Sequence, residues 1–299
     1  MIIGAGAVAL EFASLWNAAG CEVTLLIRKD RVLSTWERRA SMTLTRELKR
    51  RGVNVIARTA VDRVDTGANL GATVHYRQGD SDEDRTAYGE VVLAAIGRVP
   101  NTDADWFRSS GLKLDERGYV TVDGYGRTNL DGVWALGDIT PGHALAHRAF
   151  EQGITIAEKI AGADPKPVLD DTVPQVVFSF PEAASVGLTL DQAKAREDVV
   201  EPKETAYPML SNARMLMSGE GGSMTVVSGA FANNPDMQVV LGVHIVSPIA
   251  SDLIAEAEQL VGNRVPLADA ARLIHPHPTF SETLGEALLK ADGRPLHTR

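Results

Sequence analysis

Gly4-Ala5-Gly6-Ala7-Val8-Ala9 is the stretch on which the fold turns, with only Met1-Ile2-Ile3 ahead of it. Gly4 permits a tight strand-to-helix turn, Gly6 lets the backbone approach a pyrophosphate, and Ala9 is the third small residue that lets helix and strand pack closely. Leu10, Phe12, Ala13, Leu15 and Trp16 follow at helical spacing and stop at Gly20, and Glu22 to Ile27 reads as the next strand. Strand, turn, helix, glycine and strand in that order point to a dinucleotide-binding unit, with a structural glycine turn as the alternative. Because a mean strand runs about 5 to 6 residues, Met1-Ile2-Ile3 reads as a strand already in progress and left unpaired.

An Asp or Glu at the end of the second strand holds the ribose of NAD, whereas a cation suits the extra phosphate of NADP. Here Arg28 and Lys29 follow Ile27. They tilt the reading towards NADP, although a solvated loop face accounts for Arg28-Lys29-Asp30-Arg31 as well, so the choice between NAD and NADP stays open.

The chain has 299 residues, 44% of them hydrophobic, which suggests about two domains with buried cores. Its net charge of -9 and pI near 5.3 argue against nucleic acid or an anionic membrane as partner. No apolar run approaches the ~20 residues that span a bilayer. Glu11 interrupts the first apolar stretch and a basic n-region is missing, so no secretory signal is read and a cytoplasmic location is expected. Cys21 is the only cysteine. It allows no disulfide, redox pair or cysteine-based zinc site within the chain, no metal site is expected, and the residue reads as a small buried hydrophobe.

Further on, Ser41 to Arg51 reads as a helix ending at Gly52, Val53 to Ile56 as a strand, and Ala72 to Tyr76 as an alternating strand. The acidic run Asp80 to Asp84 reads as a solvated hairpin loop. Glu90 to Gly97 reads as a buried strand closing on glycine, and Arg98-Val99-Pro100-Asn101 as a domain exit. In Val133-Trp134-Ala135-Leu136-Gly137-Asp138 an apolar strand delivers a glycine and a carboxylate, a place where a sugar or ribityl hydroxyl can be held. Beyond a linker at Pro165 to Pro167, Val176 to Phe178, Met224 to Val227 and Val239 to Ile245 look like strands of a mainly antiparallel sheet, flanked by helices at Leu190 to Ala195 and Ala250 to Leu260.

Near the far end lies His275-Pro276-His277-Pro278-Thr279-Phe280-Ser281-Glu282. A histidine titrating near neutral pH can move a thiol proton, and a carboxylate beside it fixes its tautomer. From spacing alone, two histidines and prolines before a helix are more often a loop holding a satisfied ring.

Taken together, the segments resemble the flavin-dependent pyridine-nucleotide disulfide oxidoreductases along the full chain. Ala95 to Thr102 resembles the stretch leaving the family's NAD(P) domain, and Ala135 to Asp138 the one whose Asp contacts the ribityl chain of FAD. Ser185 to Thr189 and Leu241 to Pro248 resemble the family's dimerisation domain. The resemblance implies an α/β fold: a Rossmann-like NAD(P) domain over 1–100, the remainder of an FAD-binding region over 101–168, and an α+β dimerisation domain over 169–299. It implies cofactor contacts from Gly4, Gly6, Ala9, Glu11, Arg28, Gly97, Asp138, Ala146 and His147. His277 is implied as acid-base residue, acting across a homodimer interface, with Glu282 orienting it and His275 a neighbour. The tail Ala287 to Arg294 and Gly242-Val243-His244 resemble the dihydrolipoamide dehydrogenase branch, whereas Arg28 resembles the NADPH-using reductases.

The implied activity is hydride transfer between NAD(P)H and FAD coupled to a small-molecule or protein-bound disulfide or dithiol. The chain departs from the family at its front, where an FAD fingerprint and a redox-active cysteine pair are expected; it reads as N-terminally truncated and inactive in this form. The other readings are an NADPH-dependent disulfide reductase, or a nucleotide-binding, dimerising remnant without turnover, with exposed apolar surface on its central segment.

Overall fold

A computed structural model of the chain describes residues 1–66 and 71–298. By internal contacts these divide into two units, one formed by Met1–Ile96 with Pro174–Arg299 and the other by Gly97–Val173.

The first unit opens with β1 (Ile2–Ile3), α1 (Ala7–Ala18), β2 (Thr24–Leu26), α2 (Arg38–Arg50), β3 (Asn54–Ile56), β4 (Thr59–Thr66), β5 (Ala72–Gln78), β6 (Arg85–Gly89) and β7 (Leu93–Ala94). The parallel sheet runs β3-β2-β1-β7, the strand order of a mononucleotide-binding half. Its β3-to-β7 crossover is an antiparallel three-stranded sheet, β4-β5-β6, in place of a helix. The acidic residues 80–84 form the exposed hairpin loop between β5 and β6, as their composition suggests.

β1 corrects one expectation. Far from being unpaired, Ile2 and Ile3 are hydrogen-bonded to β2 on one side and β7 on the other, and Ile2 is fully buried. Two residues suffice because neighbours on both flanks satisfy their backbone groups. The Glu90 to Gly97 strand shrinks to Leu93–Ala94, with Val91 and Ile96 exposed. Cys21 is exposed as well, because it lies in the irregular connection between the Ala19–Gly20 turn and β2 rather than on the strand. Along α1 the buried row is Ala9, Leu10 and Ala13; Phe12 and Leu15 lie on other rows and are exposed. α2 begins at Arg38, earlier than expected, because the buried Glu37 carboxylate caps it by accepting from the Arg39 and Ala40 N–H groups at 2.6 and 2.7 Å.

The second unit contains α3 (Asp105–Ser109) and α4 (Ala146–Ile160), with a 3₁₀ turn at Gly137–Ile139. Its buried apolar side chains are few, among them Phe107, Val120 and Ile156, whereas Val99, Trp106 and Phe150 are exposed.

The chain returns to the first unit with β8 (Gln175–Val177), β9 (Glu182–Gly187), α5 (Leu190–Ala195), β10 (Val199–Pro208), α6 (Ala213–Ser218), β11 (Ser223–Phe231), β12 (Asn234–Ser247), α7 (Ala250–Gly262), α8 (Leu267–Ala270) and α9 (Glu282–Ala291). The five strands form one antiparallel sheet ordered β10-β11-β12-β9-β8. Of these, neither β9 nor β10 is among the strands expected from the sequence, and charged residues break the strand pattern of β10. Met224, Val226, Val243 and Ile245 on the sheet bury against Ile254, Ala257, Leu284 and Leu288 of the helices. Val177, Ala183 and Val246 join the core that holds Ile2, Leu10 and Leu44, so this sheet and the nucleotide half share one apolar interior. Glu220 bridges Arg50 and Arg51 across the same junction.

Candidate functional site

The Gly4 turn has a geometry that fits an anion. Gly4 has φ of +138°, and a Cβ built on it would overlap the Ala95 carbonyl, so only glycine fits. Gly6 is the N-cap of α1 without a side-chain cap, and nothing lies within 4 Å of where its Cβ would be. The first-turn N–H groups therefore face an approach left open by the glycine, with no acidic residue in the first turn to fill it. Ala9 is fully buried behind the turn. These features fit a dinucleotide pyrophosphate. Glu11 lies one turn on, and its carboxylate accepts the Phe178 N–H at 3.0 Å, tying α1 to the segment after β8. Ser14 does the same for the Phe180 N–H at 3.0 Å.

Arg28 and Lys29 are exposed at the end of β2. Arg31 is engaged elsewhere, with Asp30 at 3.0 Å and the Ser34 carbonyl at 3.1 Å.

In the second unit, Asp138 stands exposed on the 3₁₀ turn. Gly137, at φ of +75°, donates its N–H to Gln152 Oε1 of α4 at 2.9 Å, so the turn is pinned to that helix. Ala146 and His147 form the first turn of α4, whose N-cap Leu145 supplies no side-chain cap. Buried Arg148 holds the approach to the helix by bonding Asp170 at 2.6 Å and the Pro141 carbonyl at 2.7 Å. An exposed carboxylate beside an uncapped helix start fits the hydroxyl and carbonyl groups of a flavin nucleotide. Gly97 opens this unit at φ of +137° with no neighbour within 4 Å of a Cβ position.

The third constellation lies before α9. His277 Nδ1 is 2.8 Å from Glu282 Oε1, and Glu282 Oε2 accepts the Thr279 N–H at 2.8 Å. A carboxylate only accepts, so Nδ1 carries the hydrogen and Nε2 is left for chemistry. His277 is 70% exposed while Glu282 is 19% exposed. Burial alone raises the Glu282 pKa, but the Thr279 N–H and His277 outweigh it and hold the carboxyl below its usual value. Sequence reasoning missed the supports of this loop. Asn212, the N-cap of α6, donates to the Thr279 carbonyl at 3.1 Å. Glu256 on α7 binds His275 Nε2 at 2.8 Å. Neither residue belongs to a recognisable local motif; they meet the loop only through the tertiary fold.

The glycine turn and the His277/Glu282 pair belong to the same unit but to different elements, and among the described residues no hydrogen bond or ion pair joins them. Among those residues no cluster of three or more metal-ligating side chains occurs, and no helix is long and apolar enough to cross a membrane.

Two family models match. The first, pyridine nucleotide-disulphide oxidoreductase, covers residues 1–153, and the second, the dimerisation domain of the same family, covers residues 173–288. A dihydrolipoyl dehydrogenase from Cupriavidus necator is 37% identical over 298 residues, covering 99% of this chain and 60% of the relative. One from Geobacillus stearothermophilus is 36% identical over 303 residues, with 99% and 61% covered. Among solved structures, LpdA from Mycobacterium tuberculosis superposes with a TM-score of 0.84 at 29% identity, covering 97% of this chain and 61% of that one. The flavoprotein disulfide reductase RclA from Escherichia coli shares the fold, with a TM-score of 0.81 at 23% identity, covering 96% and 63%. The chain thus spans about 60% of the length of the curated relatives it matches.

Proposed function

Since the chain belongs to the pyridine nucleotide-disulphide oxidoreductase family, we propose that its residues serve a flavoprotein oxidoreductase of the dihydrolipoyl dehydrogenase type, acting on a small-molecule or protein-bound dithiol or disulfide. The observation that carries the reading is the 2.8 Å bond between His277 Nδ1 and Glu282 Oε1, on a chain that opens with a dinucleotide turn. Residues 1–100 hold NAD(P) in this reading, 101–168 complete a flavin-binding region, and 169–299 form the interface of a homodimer. A cytoplasmic location goes with it.

Each residue then has a task. Gly4 shapes the turn, Gly6 admits the pyrophosphate, and Ala9 lets α1 lie close against the sheet. Glu11 holds the end of β8 against α1 beside the coenzyme. Asp138 takes a ribityl hydroxyl, with Ala146 and His147 presenting the start of α4 to the same nucleotide and Gly97 leaving room at the entrance to that region. When bound, the flavin supplies two-electron transfer between nicotinamide and disulfide. Glu282 keeps His277 in the Nδ1–H form, and Nε2 takes the proton from a thiol or returns it. Cys21 is the single cysteine of these 299 residues, so the thiol pair is supplied from outside them.

An NADPH-dependent disulfide reductase is the second reading, favoured by the exposed Arg28 at the end of β2. The test joins residues 1–299 in frame to the part of a dihydrolipoyl dehydrogenase relative that the chain does not span. NADH-linked lipoamide turnover that falls by roughly 10²–10⁴ in H277Q supports the reading. Turnover within twofold of the unsubstituted fusion removes His277 from proton transfer. Residues 1–299 alone, supplied with FAD, are expected to show neither a flavin spectrum nor dithiol-linked NAD(P)H oxidation, and robust lipoamide turnover by them contradicts this.

A further inference from the structure

The loop ahead of α9 holds a second histidine that proton transfer does not use. The His275 side chain is 8% exposed, against 70% for His277 two residues later. Its Nε2 bonds Glu256 Oε1 of α7 at 2.8 Å. The ring also rests directly on α9: a Cβ built on Gly285 would come within 2.5 Å of His275 Nδ1. Gly285 lies three residues after Glu282, on the neighbouring turn of the same face.

We infer that His275 and Glu256 form a positioning clamp, which ties the His277 loop to α7 and seats it on α9 so that His277 Nδ1 meets Glu282. The physical need is plain. An imidazole as open to water as His277 is held only weakly by one carboxylate, because solvent screens the pair and side-chain entropy opposes it. The pair persists in one geometry only if the backbone that carries it is fixed, and His275 is the buried side chain of that backbone segment. The Glu256 carboxylate raises the His275 pKa against the opposing effect of burial, with Glu282 adding a smaller pull, so charge strengthens the clamp once the ring is protonated. Gly285 is explained by the same contact, since any side chain there displaces the ring.

The functional consequence rests on the proton-transfer reading of His277, but the geometry is measured separately. Histidine ¹⁵N shifts in the intact chain report the tautomer of each ring. Above neutral pH, His277 is expected in the Nδ1–H form. E256A is expected to move it towards the Nε2–H form of free imidazole, while E256Q, whose amide oxygen still accepts from Nε2–H, keeps the native signature. G285A repeats the E256A result by pushing the ring off α9, and it decides the matter if circular dichroism shows E256A unfolded. His277 signals unchanged in E256A and G285A, while those of His275 move, overturn the clamp. A shifted tautomer alongside full turnover by the H277Q fusion leaves the clamp standing and removes the proton-transfer reading instead.

Discussion

A Cβ on Gly4 would overlap the carbonyl oxygen of Ala95, so the first loop and the strand β7 that ends the nucleotide half are packed backbone to backbone. The chain runs through some ninety residues between these two points, yet the turn has no room for any residue but glycine. The contact fixes where the start of α1 points.

Substitution at the two glycines should therefore separate folding from binding. G4A meets both a positive φ and a steric overlap, and is expected to lower stability by about 2 kcal/mol or more in urea unfolding. G6V meets open space, and is expected to keep stability within roughly 1 kcal/mol while weakening dinucleotide binding at least about tenfold by blocking approach to the α1 N-terminus. Equal stability losses in both would show that Gly6 serves packing alone.

Glu282 joins the loop to its helix. E282A removes the acceptor of the Thr279 N–H and the partner of His277, and is expected to cost about 1–2 kcal/mol in urea unfolding. E282Q, which still accepts the Thr279 N–H, should lose less. Because the folded-state pKa of Glu282 is depressed, its contribution is present above the ordinary value of 4.5 and is lost as pH falls below it.

Between pH 5 and 8 two histidines act in opposite senses. Burial lowers the pKa of His244, which sits between Ser185 Oγ at 2.7 Å and the Leu188 carbonyl at 3.2 Å; the unfolded chain then binds a proton that the folded one refuses, so stability is lost as pH falls below 6.5. His275 has a raised pKa, so its contribution is full below 6.5 and fades as pH rises through the folded value. Urea midpoints measured across this range should slope more steeply towards acid loss in E256A than in the unsubstituted chain, and less steeply in H244Q. Parallel curves for all three contradict both assignments.

Arg28 provides the test of coenzyme choice. R28A is expected to weaken NADPH binding by roughly tenfold and leave NADH binding within twofold, as the loss of one phosphate-binding cation implies. A chain that binds NADH strongly in preference to NADPH before substitution discredits the phosphate role of Arg28.

The nucleotide turn was legible because each of its small residues answers a local steric demand, and the fingerprint stands in one continuous stretch. His277 and Glu282 were legible for the same reason, five positions apart in one motif. Glu256, Asn212 and Gly285 were not, since they reach the loop from α7, α6 and α9 and carry no pattern of their own. β1 misled in the opposite direction: Met1-Ile2-Ile3 looked too short for a paired strand, but its strand residues pair with residues 23 and 91 positions further along the sequence, one neighbour on each side. Cys21 misled because β2 starts three residues later, at Thr24, and leaves it exposed in the connection.

In the proposed function the α1 N-terminus behind Gly4 and Gly6 binds a pyridine dinucleotide. Isothermal titration of NADH and NADPH into residues 1–299, beside the G6V variant of matched stability, tests it most directly. Saturable one-to-one binding that G6V weakens at least about tenfold is the predicted result. No binding of either coenzyme to the folded chain, or binding that G6V leaves unchanged, contradicts it.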